Sequence, residues 1–435
     1  MSRGTRRVLT AAVAGAFALL ACTGAAFAPA IEPVPEPTPQ TMRAHEYWLQ
    51  DLHIDQAWTV TQGEGVRIAV IDTGVGRTPQ LDPAVVGGTD VSGAGTPDGR
   101  TPVGAVDANH GSWVASLAAA RDNGDDDAMI GVAPKADVLS ISVGFGTASQ
   151  IPFSEQVAKA MRWAVDNGAD VINLSFTTNT LDWDTSWDDA FLYAFDHDVV
   201  VVVAAGNRGS GTSKVGAPAT IPGVLTVAGV DPQGRASIEA STQGITIGVS
   251  APSEDLLGIS PDGEVYVWKG TSGAAPIVSG IVALVRAAHP GLDAADVIER
   301  IIKTADPAPG VTQVPSPLYG YGIVDAAAAV SADVPRVAAN PMGDLREWVR
   351  LYRRAPAGPQ PTPTENAVQV PPLPRADAVT PPVSVVLPDR ERLLYGTLPL
   401  LAVTLPAILV GLGVTAAARR IRSARATRTP RRQHP

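Results

Sequence analysis

Four polar residues in this chain have the types that together could attack a carbonyl carbon: Asp72, His110, Asn207 and Ser272. A serine hydroxyl is a weak nucleophile, so it needs a base such as neutral imidazole to take its proton. A carboxylate beside the imidazole fixes its tautomer and stabilises the imidazolium. An asparagine amide could donate a hydrogen bond to the oxyanion that forms. The set therefore predicts acyl transfer at a carbonyl carbon.

The local sequence places these four residues at the ends of strands and at the starts of helices. Asp72 ends the apolar run VRIAVID and Asn207 follows VVVVAAG, and catalytic groups of open parallel sheets collect at the carboxyl ends of strands. His110 and Ser272 each open a helix-like stretch. A helix N-terminus behind Ser272 would supply unpaired N–H groups and partial positive charge to an oxyanion. Taken singly, each residue could be only a turn or capping residue, but their conjunction favours catalysis.

The elements that must position these residues alternate between short β-branched runs and helix-like stretches. Continuous apolar strands separated by helices predict a mostly parallel sheet covered on both faces, which is a three-layer α/β fold. The predicted strands are 66–72, 137–143, 170–175, 200–205 and 224–230, and the predicted helices include 110–120, 154–168 and 184–198.

The motifs around the four residues closely resemble those of the subtilisin-like serine peptidases. The resemblance implies that Asp72 orients the histidine, His110 is the general acid and base, Ser272 attacks, and Asn207 helps to bind the oxyanion. It covers residues 46 to about 331 and rests on five segments: VIDTGV (70–75), NHGSWVAS (109–116), AAGN (204–207), GTSGAAPIVSG (270–280) and YGYGIVDAAAA (319–329).

Two further segments resemble the substrate-binding parts of that family. SVGF (142–145) is similar to the edge that pairs with the substrate backbone, which implies Ser142 and Gly144. NLSF (173–176) is similar to the strand lining the pocket for the residue before the scissile bond, which implies Ser175 and Phe176. Phe176-Thr177 stands where many relatives have an apolar residue and glycine, so the shape of this pocket departs from theirs.

The N-terminus has the layout of a secretory signal peptide. Arginines precede an apolar run and small residues, which predicts a signal peptide over residues 1–30. LLAC at 19–22 also resembles a lipoprotein box, although we favour a Cys22 that merely sits in an apolar region. The extension 31–45 is too short for a folded inhibitory prodomain, so we do not expect activation by removal of one.

The C-terminal region predicts a membrane anchor. Residues 334–392 read as a Pro-rich, solvated linker, in which 345–354 could form a short amphipathic helix. The uncharged run 393–418 exceeds the ~20 residues needed to span a bilayer. The Arg-rich tail 419–435 then lies in the cytoplasm by the positive-inside rule, and the peptidase domain 46–333 lies outside the cell membrane.

This order of segments resembles the mycosins, membrane-anchored proteases of actinobacterial type VII secretion systems. The resemblance implies a protein or peptide substrate and a type VII secretion membrane complex as a partner. The chain lacks the ectodomain cysteines that mycosins often carry. Two alternatives stay open: a non-catalytic structural component of a secretion complex, and a cell-wall or maturation protease unrelated to secretion.

Composition narrows the partners and cofactors. A net charge of −10 argues against nucleic acid, and the single cysteine excludes an intrachain disulfide or a multi-cysteine metal site. The carboxylates of RDNGDDD (121–127) could bind Ca²⁺, but a solvated acidic loop is favoured. We expect no cofactor and no metal.

Overall fold

The computed structural model describes most of the chain outside its two ends. It covers residues 39–353, apart from 105–107, 123–127 and 213, and it also covers residues 404, 406, 409, 410 and 412–420. The predicted signal peptide, most of the acidic loop 121–127, and much of the predicted linker, span and tail lie outside these residues. Those predictions stay predictions.

Seven parallel strands form the central sheet, in the order β2-β3-β1-β4-β5-β6-β7. The five strands predicted from the sequence are confirmed. Two strands were not predicted: β2, an edge strand with two glycines and partly exposed side chains, and β7, which contains glycine, serine and proline. The strands are β1 (Arg67–Asp72), β2 (Val85–Asp90), β3 (Asp137–Ser142), β4 (Val171–Leu174), β5 (Val200–Ala204), β6 (Leu225–Val230) and β7 (Ile247–Pro252).

Helices cover both faces of this sheet, and the three predicted ones are confirmed within two residues at each end. The α-helices between residues 39 and 353 are α1 (Pro39–His45), α2 (Trp48–Asp51), α3 (Ile54–Ala57), α4 (His110–Ala119), α5 (Phe153–Asp166), α6 (Thr185–Asp196), α7 (Thr271–Ala288), α8 (Ala294–Lys303), α9 (Ala326–Ser331) and α10 (Leu345–Tyr352).

The two faces of the sheet bury separate apolar cores. Successive side chains of a strand point to opposite faces. Along β1, Ile68 and Val70 accordingly pack with α4 and α7, whereas Ala69 and Ile71 pack with α5 and α6. The predicted α/β architecture with a mostly parallel sheet and three layers is therefore confirmed for the described part of the chain.

A small antiparallel hairpin precedes the helix that carries Ser272. Its strands are β8 (Leu256–Ile259) and β9 (Val265–Trp268), and β9 ends three residues before α7 begins. The sequence did not predict this hairpin, whose second strand is only partly buried. It brings aromatic side chains to the candidate site.

Residues 334–353 differ from the solvated linker expected there. Asn340 donates from Nδ2 to the Gly223 carbonyl oxygen at 2.8 Å, and Trp348 stacks on Trp183 with ring centroids 4.5 Å apart. The amphipathic helix predicted at 345–354 is α10, with Leu345 buried. These contacts extend the compact part of the chain past the sequence-based boundary at 333, because apolar residues at helical spacing lie within a segment otherwise rich in proline.

The predicted C-terminal span is only partly described. Positions 404, 406, 409, 410 and 412–420 are helical, and apolar side chains there, including Leu409 and Val414, are exposed. Among the described helices, α7 alone is long and apolar enough to cross a membrane, and 78% of it is buried inside the protein. Since α7 lies in the interior of the sheet domain, it is a core helix rather than the C-terminal span that we predicted.

Candidate active site

Asp72 and His110 are in direct contact at the carboxyl end of β1. The imidazole Nδ1 lies 2.8 Å from Asp72 Oδ1 and 3.0 Å from Oδ2. Asp72 is fully buried, and its Oδ1 also accepts a hydrogen bond from the Thr73 backbone N–H at 2.7 Å. The carboxylate thus holds the proton on Nδ1, so that Nε2 is the nitrogen suited to accept one.

A glycine explains how the N-terminus of α4 reaches this strand end. The Gly111 N–H donates to Thr73 Oγ1 at 2.8 Å. A Cβ on Gly111 would lie only 2.5 Å from the Gly74 carbonyl oxygen. The absence of a side chain at 111 therefore lets α4 press against the loop after β1, and this contact places His110 beside Asp72.

Ser272, the second residue of α7, is bonded reciprocally to Ser175 just beyond β4. Ser272 Oγ donates to the Ser175 carbonyl oxygen at 2.9 Å, and Ser175 Oγ donates to the Ser272 carbonyl oxygen at 2.8 Å. Pro276 has no N–H to offer Ser272, its partner four residues earlier in the helix. Ser175 thus satisfies a carbonyl that the helix leaves without its usual donor.

Two buried polar residues extend this contact into the core. Asn173 Nδ2 donates to Ser175 Oγ at 2.9 Å, and Ser279 Oγ donates to Asn173 Oδ1 at 2.9 Å. Asn173 and Ser279 are fully buried. Both lie within the sequence motifs but were not predicted as part of the site, although a polar residue inside a buried strand or helix usually signals a hydrogen-bonded partner.

Thr271 fixes the orientation of the Asn207 amide. Asn207 Oδ1 accepts from the Thr271 backbone N–H at 2.8 Å and from Thr271 Oγ1 at 2.9 Å. Because Oδ1 is the acceptor in both bonds, Nδ2 is left to donate elsewhere. Gly270 passes so close that a Cβ there would lie 2.8 Å from Asn207 Nδ2. The amide is thus oriented as a hydrogen-bond donor beside the start of α7.

The β8–β9 hairpin adds an aromatic wall beside His110. The Trp268 ring lies edge-on to the imidazole with centroids 5.6 Å apart, and Trp113 lies 5.7 Å from Trp268. Trp268 Nε1 donates to the Leu257 carbonyl oxygen at 3.0 Å, which fixes the indole against the hairpin. The motifs had not pointed to Trp268, because its position depends on the register of a hairpin that they do not include.

Ser175 contacts Ser272, but the other three predicted substrate-binding residues are buried or already hydrogen-bonded within the protein. Ser142 is fully buried, and the Gly144 N–H donates to Gln156 Oε1 at 2.7 Å. The Phe176 ring is 9% exposed and packs edge-on to Phe153, with centroids 5.1 Å apart. The accessible part of the edge after β3 begins at Phe145.

One cluster among the described residues could hold a metal ion, and it lies on other elements. His53, Asp306 and Asp325 each offer a ligand atom, all within 4.8 Å of one another. His53 Nδ1 lies 2.9 Å from Asp325 Oδ2. This contact joins the residue before α3 to the residue before α9, so the pair has a structural role without any ion.

A parallel α/β sheet with an Asp72–His110 pair at the end of one strand, and with Ser272 and Asn207 bonded beside the ends of two others, offers the groups that a serine peptidase uses. The comparison with known proteins agrees. Residues 63–322 match the Subtilase family, and the chain belongs to that family. It is a serine endopeptidase.

Its relatives include mycosins and a thermitase. Mycosin-4 of Mycobacterium tuberculosis is 35% identical over 350 residues, which cover 70% of this chain and 74% of that protein. Thermitase of Thermoactinomyces vulgaris is 33% identical over 269 residues, which cover 60% of this chain and 89% of that protein. The predicted resemblance to mycosins is therefore confirmed.

Solved structures give the same result. MycP1 with its N-terminal propeptide removed aligns with a TM-score of 0.58 at 29% identity, covering 67% of this chain and 98% of MycP1. The MycP3 protease from the type VII (ESX-3) secretion system aligns with a TM-score of 0.55 at 31% identity, covering 66% of this chain and 88% of MycP3.

Proposed function

We propose that Asp72, His110 and Ser272 are the catalytic triad of an exported, membrane-anchored peptidase, with Asn207 as the oxyanion donor. The observation that carries this proposal is the 2.8 Å contact between His110 Nδ1 and Asp72 Oδ1 at the end of β1. At the same edge of the sheet, Ser272 lies between the segments that follow β4 and β5, and it is bonded to Ser175 in the first of these segments.

The chemistry follows from these positions. His110 Nε2 takes the proton of Ser272 Oγ as the oxygen attacks the peptide carbonyl carbon, and Asp72 stabilises the imidazolium. In this structure Ser272 Oγ donates to the Ser175 carbonyl oxygen, so the hydroxyl must turn its O–H toward Nε2 before transfer. The imidazolium then protonates the leaving amine, and water hydrolyses the acyl-enzyme by the same steps.

The oxyanion is stabilised from two directions. Asn207 Nδ2 donates from the segment after β5, with its amide oriented by Thr271. The backbone N–H of Ser272, in the first turn of α7, has no partner within the helix and adds the partial positive charge of a helix N-terminus. These donors stabilise the negative charge that develops in the transition state.

Export and anchoring are proposed from the two ends of the chain. A basic and apolar segment over residues 1–30 supports a signal peptide, and the run 393–418 followed by arginines supports a single span. The described part of that run is helical, with exposed apolar side chains. The peptidase domain then lies outside the membrane, the linker holds it there, and the tail 419–435 is cytoplasmic.

Association with a type VII secretion system is proposed from the relatives, since MycP3 is described as a protease from such a system. The alternative of a non-catalytic scaffold is weaker, because Asp72 is bonded to His110 and the Asn207 amide is oriented by Thr271 to donate. Full complementation of a deletion strain by Ser272→Ala would instead favour the scaffold, and failure to restore secretion would favour proteolysis as the required role.

Labelling with a fluorophosphonate tests the catalytic proposal directly. The full-length protein in detergent should label, and Ser272→Ala and His110→Ala should not. Ser331→Ala, which removes a hydroxyl at the end of α9, is the matched control and should label like the parent chain. A folded parent chain that resists labelling, or labels equally after Ser272→Ala, would refute the assignment of Ser272 as nucleophile.

A further inference from the structure

The geometry points to a substrate class: we infer that two threonine methyl groups narrow the pocket beside Ser272, so that the peptidase cleaves after glycine, alanine or serine. This inference rests on the proposed role of Ser272 as the nucleophile. The residue whose carbonyl is attacked is called P1 below. The two threonines are Thr177, just beyond β4, and Thr212, in the loop after β5.

The sheet order decides where the P1 side chain goes. His110 lies at the end of β1, and it must face the leaving amine in order to protonate it. The P1 side chain therefore lies on the other side of Ser272, over the ends of β4 and β5. Pairing between these strands stops at Leu174 and Val203. The segments that follow reach the start of α7 through Ser175 and Asn207, so we take them as the two walls of the P1 pocket.

Methyl groups from both threonines lie between these two walls. A Cβ built on Gly206, the residue before Asn207, would lie 2.7 Å from Thr177 Cγ2 and 3.0 Å from Thr212 Cγ2. The methyl groups therefore lie against the Gly206 backbone, between the segments that follow β4 and β5. Gly206 has a φ of +101°, a conformation that favours glycine and leaves the backbone bare for this contact.

The hydroxyls of both threonines hold these methyl groups in place. Thr177 Oγ1 donates to the Gly216 carbonyl oxygen at 3.1 Å, and Thr212 Oγ1 donates to Asn179 Oδ1 at 3.0 Å. Because each hydroxyl is bonded away from Gly206, each Cγ2 is left facing it. A bulky P1 side chain would have to break these bonds before it could enter.

The backbone behind Thr177 is also fixed. The Thr178 N–H donates to the Ala217 carbonyl oxygen at 2.7 Å, and the Ala217 N–H donates to the Thr180 carbonyl oxygen at 2.8 Å. Gly216 approaches so closely that a Cβ there would lie 1.9 Å from the Thr178 carbonyl oxygen. The wall that carries Thr177 therefore cannot retreat without losing backbone hydrogen bonds.

Peptidyl diphenyl phosphonates measure the pocket without knowledge of the natural substrate, because they react with the nucleophile and carry a chosen P1 side chain. The full-length protein in detergent would be labelled with four probes that differ only at P1: alanine, valine, leucine and phenylalanine. One added methylene in such a pocket changes the rate by roughly 10- to 200-fold. We expect the alanine probe to label at least about 100-fold faster than the phenylalanine probe.

Conservative variants isolate the methyl groups. Thr177→Ser together with Thr212→Ser keeps both hydroxyls and removes both Cγ2 atoms, and it should raise the relative rate of the leucine probe at least about 10-fold. Thr177→Val keeps the bulk but loses the bond to Gly216, so the preference for alanine should persist. Loss of the preference for the alanine probe in Thr177→Val would mean that the hydroxyl bond, and not the methyl group, shapes the pocket.

Two further results would overturn the inference: faster labelling of the parent chain by the leucine or phenylalanine probe, or an unchanged rate ratio in the double serine variant. Neither result touches the catalytic assignment. Failure of the proposed function appears differently, as a folded chain that reacts with no phosphonate and no fluorophosphonate, which would overturn the nucleophile and the pocket together.

Discussion

Replacement of Thr271 by valine should lower catalysis without preventing substrate binding. Thr271 Oγ1 is fully buried and makes two hydrogen bonds: it donates to Asn207 Oδ1 at 2.9 Å and accepts from the Gly206 N–H at 2.9 Å. Valine has nearly the same shape but offers neither bond. Among the described residues, the Thr271 backbone N–H would then be the one group left to hold the Asn207 amide.

The size of the effect follows from these two bonds. Complete loss of an oxyanion donor lowers kcat by about 10²–10³, a range measured in a subtilisin, which belongs to the family of this chain. Thr271→Val leaves the donor present but less well oriented, so we expect kcat to fall about 10- to 100-fold with little change in KM. The Gly206 N–H loses its acceptor in a buried place, which should destabilise the fold by about 1–3 kcal/mol.

The assay compares kcat and KM of the parent chain, Thr271→Val and Thr271→Ser on one peptide substrate. Serine keeps the hydroxyl and removes the methyl, so it is the matched control and should retain most of the parent kcat. Wild-type kcat in Thr271→Val would refute the reasoning. A serine variant as slow as the valine variant would also refute it, because packing of the methyl would then explain the loss.

Three further predictions concern the scaffold around the site. Burial raises the pKa of Glu46 to about 8, so the folded chain keeps a proton that the unfolded chain loses above about pH 4.5. The free energy of unfolding should therefore fall as pH rises toward 8, by at most about 5 kcal/mol. Urea titrations at several pH values should show this slope in the parent chain and not in Glu46→Gln. Gly111→Ala should abolish labelling of a folded chain, because its Cβ would lie 2.5 Å from the Gly74 carbonyl oxygen. Arg353→Ala should lower the free energy of unfolding by about 2 kcal/mol, since it leaves the buried Asp188 without the guanidinium 2.9 Å away; an unchanged value in any of these measurements would contradict the corresponding contact.

The sequence predicted the centre of the sheet better than its edges. The strands from β1 through β6, apart from β2, are nearly continuous runs of Val, Ile, Leu and Ala, because both of their faces are buried. The edge strand β2 is partly exposed and needs no such run. The hairpin β8–β9 is similar: it is stabilised by contacts with Trp113 rather than by its own pattern.

The candidate site divides in the same way. The four proposed catalytic residues were predictable because strand ends and helix starts leave signals in the local sequence. Trp268 and the methyl groups of Thr177 and Thr212 were not, because their positions depend on how distant segments approach each other. Motifs did indicate that Thr177 departs from relatives, but only the approach of Gly206 gives that departure a physical meaning.

Pro276 shows how a local irregularity and a distant residue complete one another. In a regular helix, residue 276 would donate to the Ser272 carbonyl oxygen, and proline cannot. Ser175, which is 97 positions away in the chain, donates to that oxygen instead at 2.8 Å. The Ser272 carbonyl, which accepts no hydrogen bond from Pro276, therefore bonds the start of α7 to Ser175 at the end of β4. The Ser272 hydroxyl must leave the Ser175 carbonyl for catalysis, but the bond from Ser175 Oγ to the Ser272 carbonyl oxygen does not depend on that hydroxyl, so it keeps the start of α7 beside the edge of the proposed P1 pocket.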